Sequence, residues 1–285
     1  MRNLLFVVCA LFLAACETSA PTQLTAAPGL VVFSVLDPAA PEQTVVLMQT
    51  RPAVRDTTSR AVLIDDPIVS AGEIPVTGAR VVLYGPTGDS AVAIEDRVRR
   101  TDHLGAGVYR IWSSGIAATL PAGAYLPVAM GARYSLKVQS TVGAAEATTS
   151  VPSNDRNLNV AARTLNRSRD TVLMGESRAQ AAGFIYSLRN GNATVGTPQF
   201  RRSIERRLVL PAGNEWAFAY VRARFTLGSR YTLTVTAADS SYFAYYSSEG
   251  DPFADRSAKT TLRGATGVFG SVLLMYASVV TVTGL

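Results

Sequence analysis

The chain has 285 residues, 48% of them hydrophobic, and a formal net charge of +6 at pH 7. That length is enough for two domains of ordinary size, each with its own core. A single histidine and two cysteines exclude a disulfide-built scaffold and leave too few nitrogen and sulfur ligands for a zinc site, so neither metal nor cofactor is expected. Only Lys137 and Lys259 are lysine, so the basic excess is almost wholly arginine.

In chain order, Arg2 and the apolar run Leu4 to Leu13 have the charge and length of a signal peptide. The run is too short to span a bilayer, which takes roughly 20 apolar residues. Leu13-Ala14-Ala15-Cys16 resembles the lipobox of bacterial lipoproteins, which are cleaved before the cysteine and acylated on it. Residues 1–15 are therefore expected to leave, taking Cys9 with them, and Cys16 to carry the lipid. Several acyl chains anchor stably where one does not, at about 0.8 kcal/mol per buried CH₂. Glu17 stands where aspartate is the inner-membrane retention signal of such proteins, which points to the outer membrane. Export removes nucleic acid as the expected partner of the positive charge and leaves anionic lipid, lipopolysaccharide or an acidic patch on another protein.

Residues 16–28 are small, polar and proline-containing, the composition of a flexible tether. Leu30 to Val35 is a β-branched run between Gly29 and Pro38, and Thr44 to Gln49 is a second strand of that kind. Residues 51–75 read as a long loop with short strand pieces. Ala79, Val81 and Leu83 alternate with Arg80, Val82 and Tyr84, before the turn residues Gly85 to Asp89. Gly105 to Trp112 is a turn feeding a strand. In Ala132 to Val138, Tyr134, Leu136 and Val138 take the face opposite Arg133 and Lys137. Short strands with Gly/Pro punctuation predict an all-β fold, with a β-sandwich over 29–150. The order PVTGARVVLY, GVYRI, YSLKV resembles Ig-like, transthyretin-type modules.

Val151-Pro152-Ser153-Asn154-Asp155 reads as a boundary, with a second β-rich domain over 151–285. Its expected strands are Phe184 to Leu188, closed by an Asn190-Gly191-Asn192 turn, then Ala217 to Leu227 and Tyr231 to Thr236. Asp239 is placed to cap a short helix in which Tyr242, Tyr245 and Tyr246 share one face at i, i+3, i+4 spacing. The uncharged run from Gly267 to Leu285, with its serines, threonines and glycines, predicts one or two buried strands rather than a membrane span. It also lacks the terminal aromatic residue of outer-membrane barrels.

No catalytic set emerges. His103 beside Asp102 has no Gly-x-Ser-x-Gly elbow to serve and reads as a solvated loop residue. The carboxylates Asp65 and Asp66, Glu95 and Asp96, and Glu249, Asp251 and Asp255 lie close in sequence. Neither a glycosidase pair nor a calcium loop can be read from their spacing, and each group is expected to be structural. Arg201, Arg202, Arg206 and Arg207 form the densest basic cluster, a solvated face or a surface for phosphates or an acidic partner. Tyr242, Tyr245 and Tyr246, with Trp112 and Trp216, read as core anchors or a sugar-stacking platform.

The C-terminal stretch places a strand at Thr232 to Thr236, tyrosines at 242 to 246, Asp251-Pro252-Phe253, and glycines from Gly264 to Gly270 around Phe269. That order resembles the uncharacterised lipoprotein family catalogued as domain of unknown function 4249, as do the lipobox and the strands LVVFSVL and PVTGARVVLY. Leu262-Arg263 stand where the family carries asparagine before its glycine turn. The resemblance implies an Ig-like N-terminal half, an outer-membrane lipoprotein and a TonB-dependent transporter as a partner; it implies no chemistry. The expected function is a non-enzymatic binding or accessory subunit at the outer membrane. The alternatives are a stand-alone surface adhesin or structural module and, behind both, a carbohydrate-active enzyme.

Overall fold

The computed structural model describes residues 28–50, 74–96, 106–115, 120–153, 164–166, 171–173, 181–190, 193–194, 199–201, 207–209, 230–247 and 260–283. The chain is all-β with one short helix among these residues. Its N-terminal part supplies β1 (Leu30–Leu36), β2 (Glu42–Gln49), β3 (Ile74–Pro75), β4 (Arg80–Tyr84), β5 (Ser90–Val92) and β6 (Ile94–Glu95). After these come β7 (Val108–Trp112), β8 (Arg133–Gln139) and β9 (Ala144–Ser150).

These strands build a two-layer sandwich. One layer has the order β5-β4-β8-β9; the other runs β1-β2-β7-β6, with β3 on β2. Alternation sends Val81 and Leu83 from β4 and Tyr134, Leu136 and Val138 from β8 inward, where they meet Leu30, Val32, Leu47, Tyr109 and Ile111 of the facing layer. Each such aliphatic or aromatic side chain contributes roughly 1.5–3 kcal/mol on burial. The two buried tyrosines keep their polar ends satisfied. Tyr109 Oη donates to the Val76 carbonyl at 2.8 Å and accepts from the Ala79 amide at 2.9 Å. Tyr134 Oη donates to Pro127 at 2.9 Å and accepts from Ala129 at 2.8 Å.

The outer face of the larger layer is apolar too, with Val31, Val46, Met48 and Val108 buried and Phe33 packed on them. Burial on both faces explains why β1 reads LVVFSVL with no polar alternation. Beside this cluster, buried Arg110 is held between Glu42 and Asp96, its Nε donating to Asp96 Oδ2 at 2.8 Å. Glu95 Oε2 accepts from the Gly78 amide at 3.0 Å. The adjacent carboxylates Glu95 and Asp96 thus each hold a partner within the sandwich.

The remaining elements are β10 (Thr164–Asn166), β11 (Thr171–Leu173), β12 (Gly183–Asn190), β13 (Ala193–Thr194), β14 (Gln199–Arg201), β15 (Arg207–Val209) and β16 (Arg230–Ala238). They are followed by helix α1 (Ser240–Ser247) and β17 (Thr266–Thr283). Asn190 pairs with Ala193 in antiparallel register, and Gly191 and Asn192 of the expected turn lie outside the described residues. β12 pairs with β16 and β14, while β11 and β15 form a separate pair.

β17 joins the two parts. From Thr266 to Ser271 it lies parallel to β1; from Val272 to Thr281 it lies antiparallel to β16. One sheet thus runs β13-β12-β16-β17-β1-β2-β7-β6. The first half of β17 also completes the sandwich: Phe269 is fully buried in the same core as Leu136 and Ile111, and Leu262 joins it. The uncharged C-terminal run is one strand that changes neighbours along its length, and its glycine segment is the entry to that strand rather than a turn as far as Gly270. None of the described helices is long and apolar enough to cross a membrane.

Candidate functional site

The point where β17 changes partners is also where α1 begins, and one carboxylate sits there. Asp239 is the N-cap: Oδ1 accepts from the Tyr242 amide at 2.9 Å and Oδ2 from the Ser241 amide at 3.2 Å, satisfying two donors that a helix start leaves open. Two further donors come from distant strands. The Ser271 amide of β17 donates to Oδ1 at 3.0 Å, and the Thr149 hydroxyl of β9 donates to Oδ2 at 2.9 Å. Ser271 Oγ lies 2.8 Å from Thr149 Oγ1 and 3.1 Å from the Ser150 carbonyl, so its one proton is shared between them. The main chain closes the same contact, the Asp239 amide donating to Ser271 at 2.9 Å.

Asp239 is only 6% exposed. Burial pushes its carboxyl above the ordinary value, and the four donors, Tyr242 first among them, pull back without cancelling that effect. The close seat also depends on Gly270. A Cβ there would stand 2.6 Å from Tyr242 Cβ and 2.8 Å from Asp239 Oδ1, so any larger residue would lift the helix off the strand. Behind the cap, Phe243 packs on Ile185 and Ala238.

A cleft of about 420 Å³ opens over this junction. Asp239 and Thr149 are among its lining residues. Arg133, Thr148, Ser150, Ser240 and Thr261 supply its polar wall, and Pro152, Ala181 and Ala182 its apolar one. Thr261 substitutes for a strand partner on the free edge of β9: its hydroxyl donates to the Thr148 carbonyl and accepts from the Thr148 amide. Beside it, Arg263 and Glu146 exchange backbone hydrogen bonds at 2.8 and 3.1 Å. The sandwich edge is thereby closed against other chains. Its described lining offers one guanidinium and several hydroxyls, suited to a small polar ligand. Among the described lining residues the one carboxylate, Asp239, is committed to structure.

The three tyrosines share a face, as their spacing predicts, and are half-buried. Tyr242 and Tyr246 have ring centroids 4.7 Å apart, and Tyr245 and Tyr246 lie 5.1 Å apart edge to face. Tyr245 meets Phe33 at 6.0 Å, an edge contact that lays α1 against the outer face of β1. They are packing residues of the helix seat with partly open rings. Trp112 ends β7 half-buried and bridges to Tyr125.

The basic cluster is divided between two sheets. Arg201 ends β14 opposite Phe184, and Arg207 opens β15 opposite Leu173. Arg202 and Arg206 lie outside the described residues, as do Cys16, Asp65, Asp66, Asp102, His103, Trp216, the strand expected at Ala217 to Leu227, and Glu249, Asp251 and Asp255. The capping role of Asp239 was readable from its local sequence. Thr149 and Ser271 were not, because Thr149 lies 90 residues from Asp239 and 122 from Ser271, Ser271 lies 32 from Asp239, and nothing local marks either.

No protein-family model matches the chain, and no curated protein matches it. Among solved structures it is similar to a two fibronectin type-III domain segment from chicken tenascin, at 11% identity over 74% of this chain and 91% of that one, with a TM-score of 0.20. A score that low gives no basis for superposing the two chains.

Proposed function

We propose that the protein is an outer-membrane lipoprotein, anchored through acylated Cys16, that works as a non-enzymatic binding or accessory subunit. The observation that carries the non-enzymatic part is the state of Asp239. The carboxylate lining the cleft accepts from four donors on three elements, so it holds the helix and strands together instead of exchanging protons with a substrate. Arg133 and the hydroxyls around it leave the cleft able to hold a small polar molecule without acting on it. The lipobox supports the anchor. The likeness of the C-terminal motifs to domain of unknown function 4249 lipoproteins makes a TonB-dependent transporter the first partner to test.

The test is extraction of the native protein from membranes in mild detergent, with identification of what accompanies it. A stoichiometric transporter supports the accessory role. Recovery alone in the outer-membrane fraction moves the reading to a stand-alone adhesin or structural module. If Cys16→Ser leaves the protein in the membrane fraction, the anchor is wrong.

A further inference from the structure

The first and last strands of the sandwich lie side by side and point the same way. β1 and β17 pair in parallel from Val31↔Thr266 to Leu36↔Ser271, six residue pairs in unbroken register. The chain before Leu30 therefore leaves the sandwich at the end where β17 enters. Beyond Ser271, β17 leaves at the opposite end, into the far half of the sheet. Tension between these two exits runs along the strands and loads the parallel ladder in shear, so its hydrogen bonds must fail together. Tension applied at the β1–β2 turn instead peels the same ladder from the Leu36 end, one pair at a time.

Three other features strengthen this ladder. β1 is held on its second edge by antiparallel β2 and is buried on both faces. Gly267 has φ +108°, and a Cβ there would stand 2.1 Å from the Val32 carbonyl oxygen, which fixes the two backbones at close approach. At the exit of β17, Ser271 is tied to Asp239 and to Thr149, so load passing down the strand also reaches β9 in the other layer.

We propose that the β1–β17 ladder is a load-bearing clamp, and that the sandwich resists tension applied between the segment before Leu30 and the part of β17 beyond Ser271. The source of the load, pull against a lipid anchor, rests on the function proposed above. The clamp itself does not.

Single-molecule pulling on the full chain tests it in two geometries. One places handles at the two chain ends. The other places them at Ala39, in the exposed β1–β2 turn, and at the C-terminus, with Cys9 and Cys16 changed to serine and Ala39→Cys as the attachment. At equal tension the sandwich should open more slowly when pulled by its ends, by about tenfold for each additional hydrogen bond that must fail in the same step. Gly267→Ala should erase much of that difference while leaving the turn geometry little changed. The comparison of handle positions stands even if that variant does not fold, since it needs no change within the ladder. Equal opening rates in the two geometries, or faster opening from the chain ends, would overturn the clamp. A difference between geometries in a protein that proves not to be membrane-anchored would leave the clamp standing and refute only its proposed load.

Discussion

The sandwich core and the Asp239 junction hold the molecule by different physics. In the core, Val81, Leu136, Ile111 and Phe269 are kept from water by one another, and the attraction is non-directional. At the junction, one carboxylate takes four hydrogen bonds from three elements, each dependent on distance and angle. The core resists small displacements and suffers when volume is lost. The junction contains little apolar surface and suffers when a partner is lost, because each orphaned donor stays buried.

The largest effect should come from emptying the core at the strand the two halves share. Phe269→Ala is expected to cost about 3–5 kcal/mol in chemical denaturation, and a loss under about 1 kcal/mol would show that β17 does not complete the sandwich. Next, Asp239→Ala removes the cap and strands the Ser271 amide and the Thr149 hydroxyl. A loss of about 2–3 kcal/mol is expected. Thr149→Val takes away only one donor to that carboxylate, and about 1 kcal/mol should go with it.

Acidity sharpens the same contrast. Because burial raises the Asp239 carboxyl in the folded protein, the fold binds that proton more tightly than the unfolded chain does. The stability linked to it is fully present below the unfolded carboxyl value and is lost as pH rises through the higher folded one. Wild type should therefore gain stability relative to Asp239→Asn as pH falls across that window. A difference that stays flat, or falls, means that the four donors outweigh burial. The smallest effect belongs to the surface: Lys137 and Glu146 pair at 3.1 Å in water, and replacing either should change stability by under about 0.5 kcal/mol.

The strands of the core were legible because alternation is a local signal. Tyr134, Leu136 and Val138 announced the buried face of β8 without reference to any partner. β9 was less legible: in Ala144–Ser150, AAEATTS, the three alanines and the glutamate carry little β preference and only the two threonines favour a strand, which β8 and Thr261 complete by satisfying its two edges. The same limit applied to β17. Its apolar, uncharged composition showed a strand, but the switch at Ser271 from β1, more than two hundred residues away in sequence, to the nearby β16 is a matter of pairing, which periodicity does not encode. The candidate site divides likewise. The cap and the tyrosine face were visible in the eight consecutive residues from Asp239 to Tyr246, whereas the cleft exists only once β8, β9 and α1 have met.

Hydrogen exchange of the intact protein tests most directly whether β17 is a shared part of one sheet. The amides from Val268 to Ser271 are predicted to exchange as slowly as those of Val81 and Leu136, through the same global opening. Exchange at 268–271 well ahead of the β4 and β8 amides would contradict it, and would make the sandwich complete without its last strand.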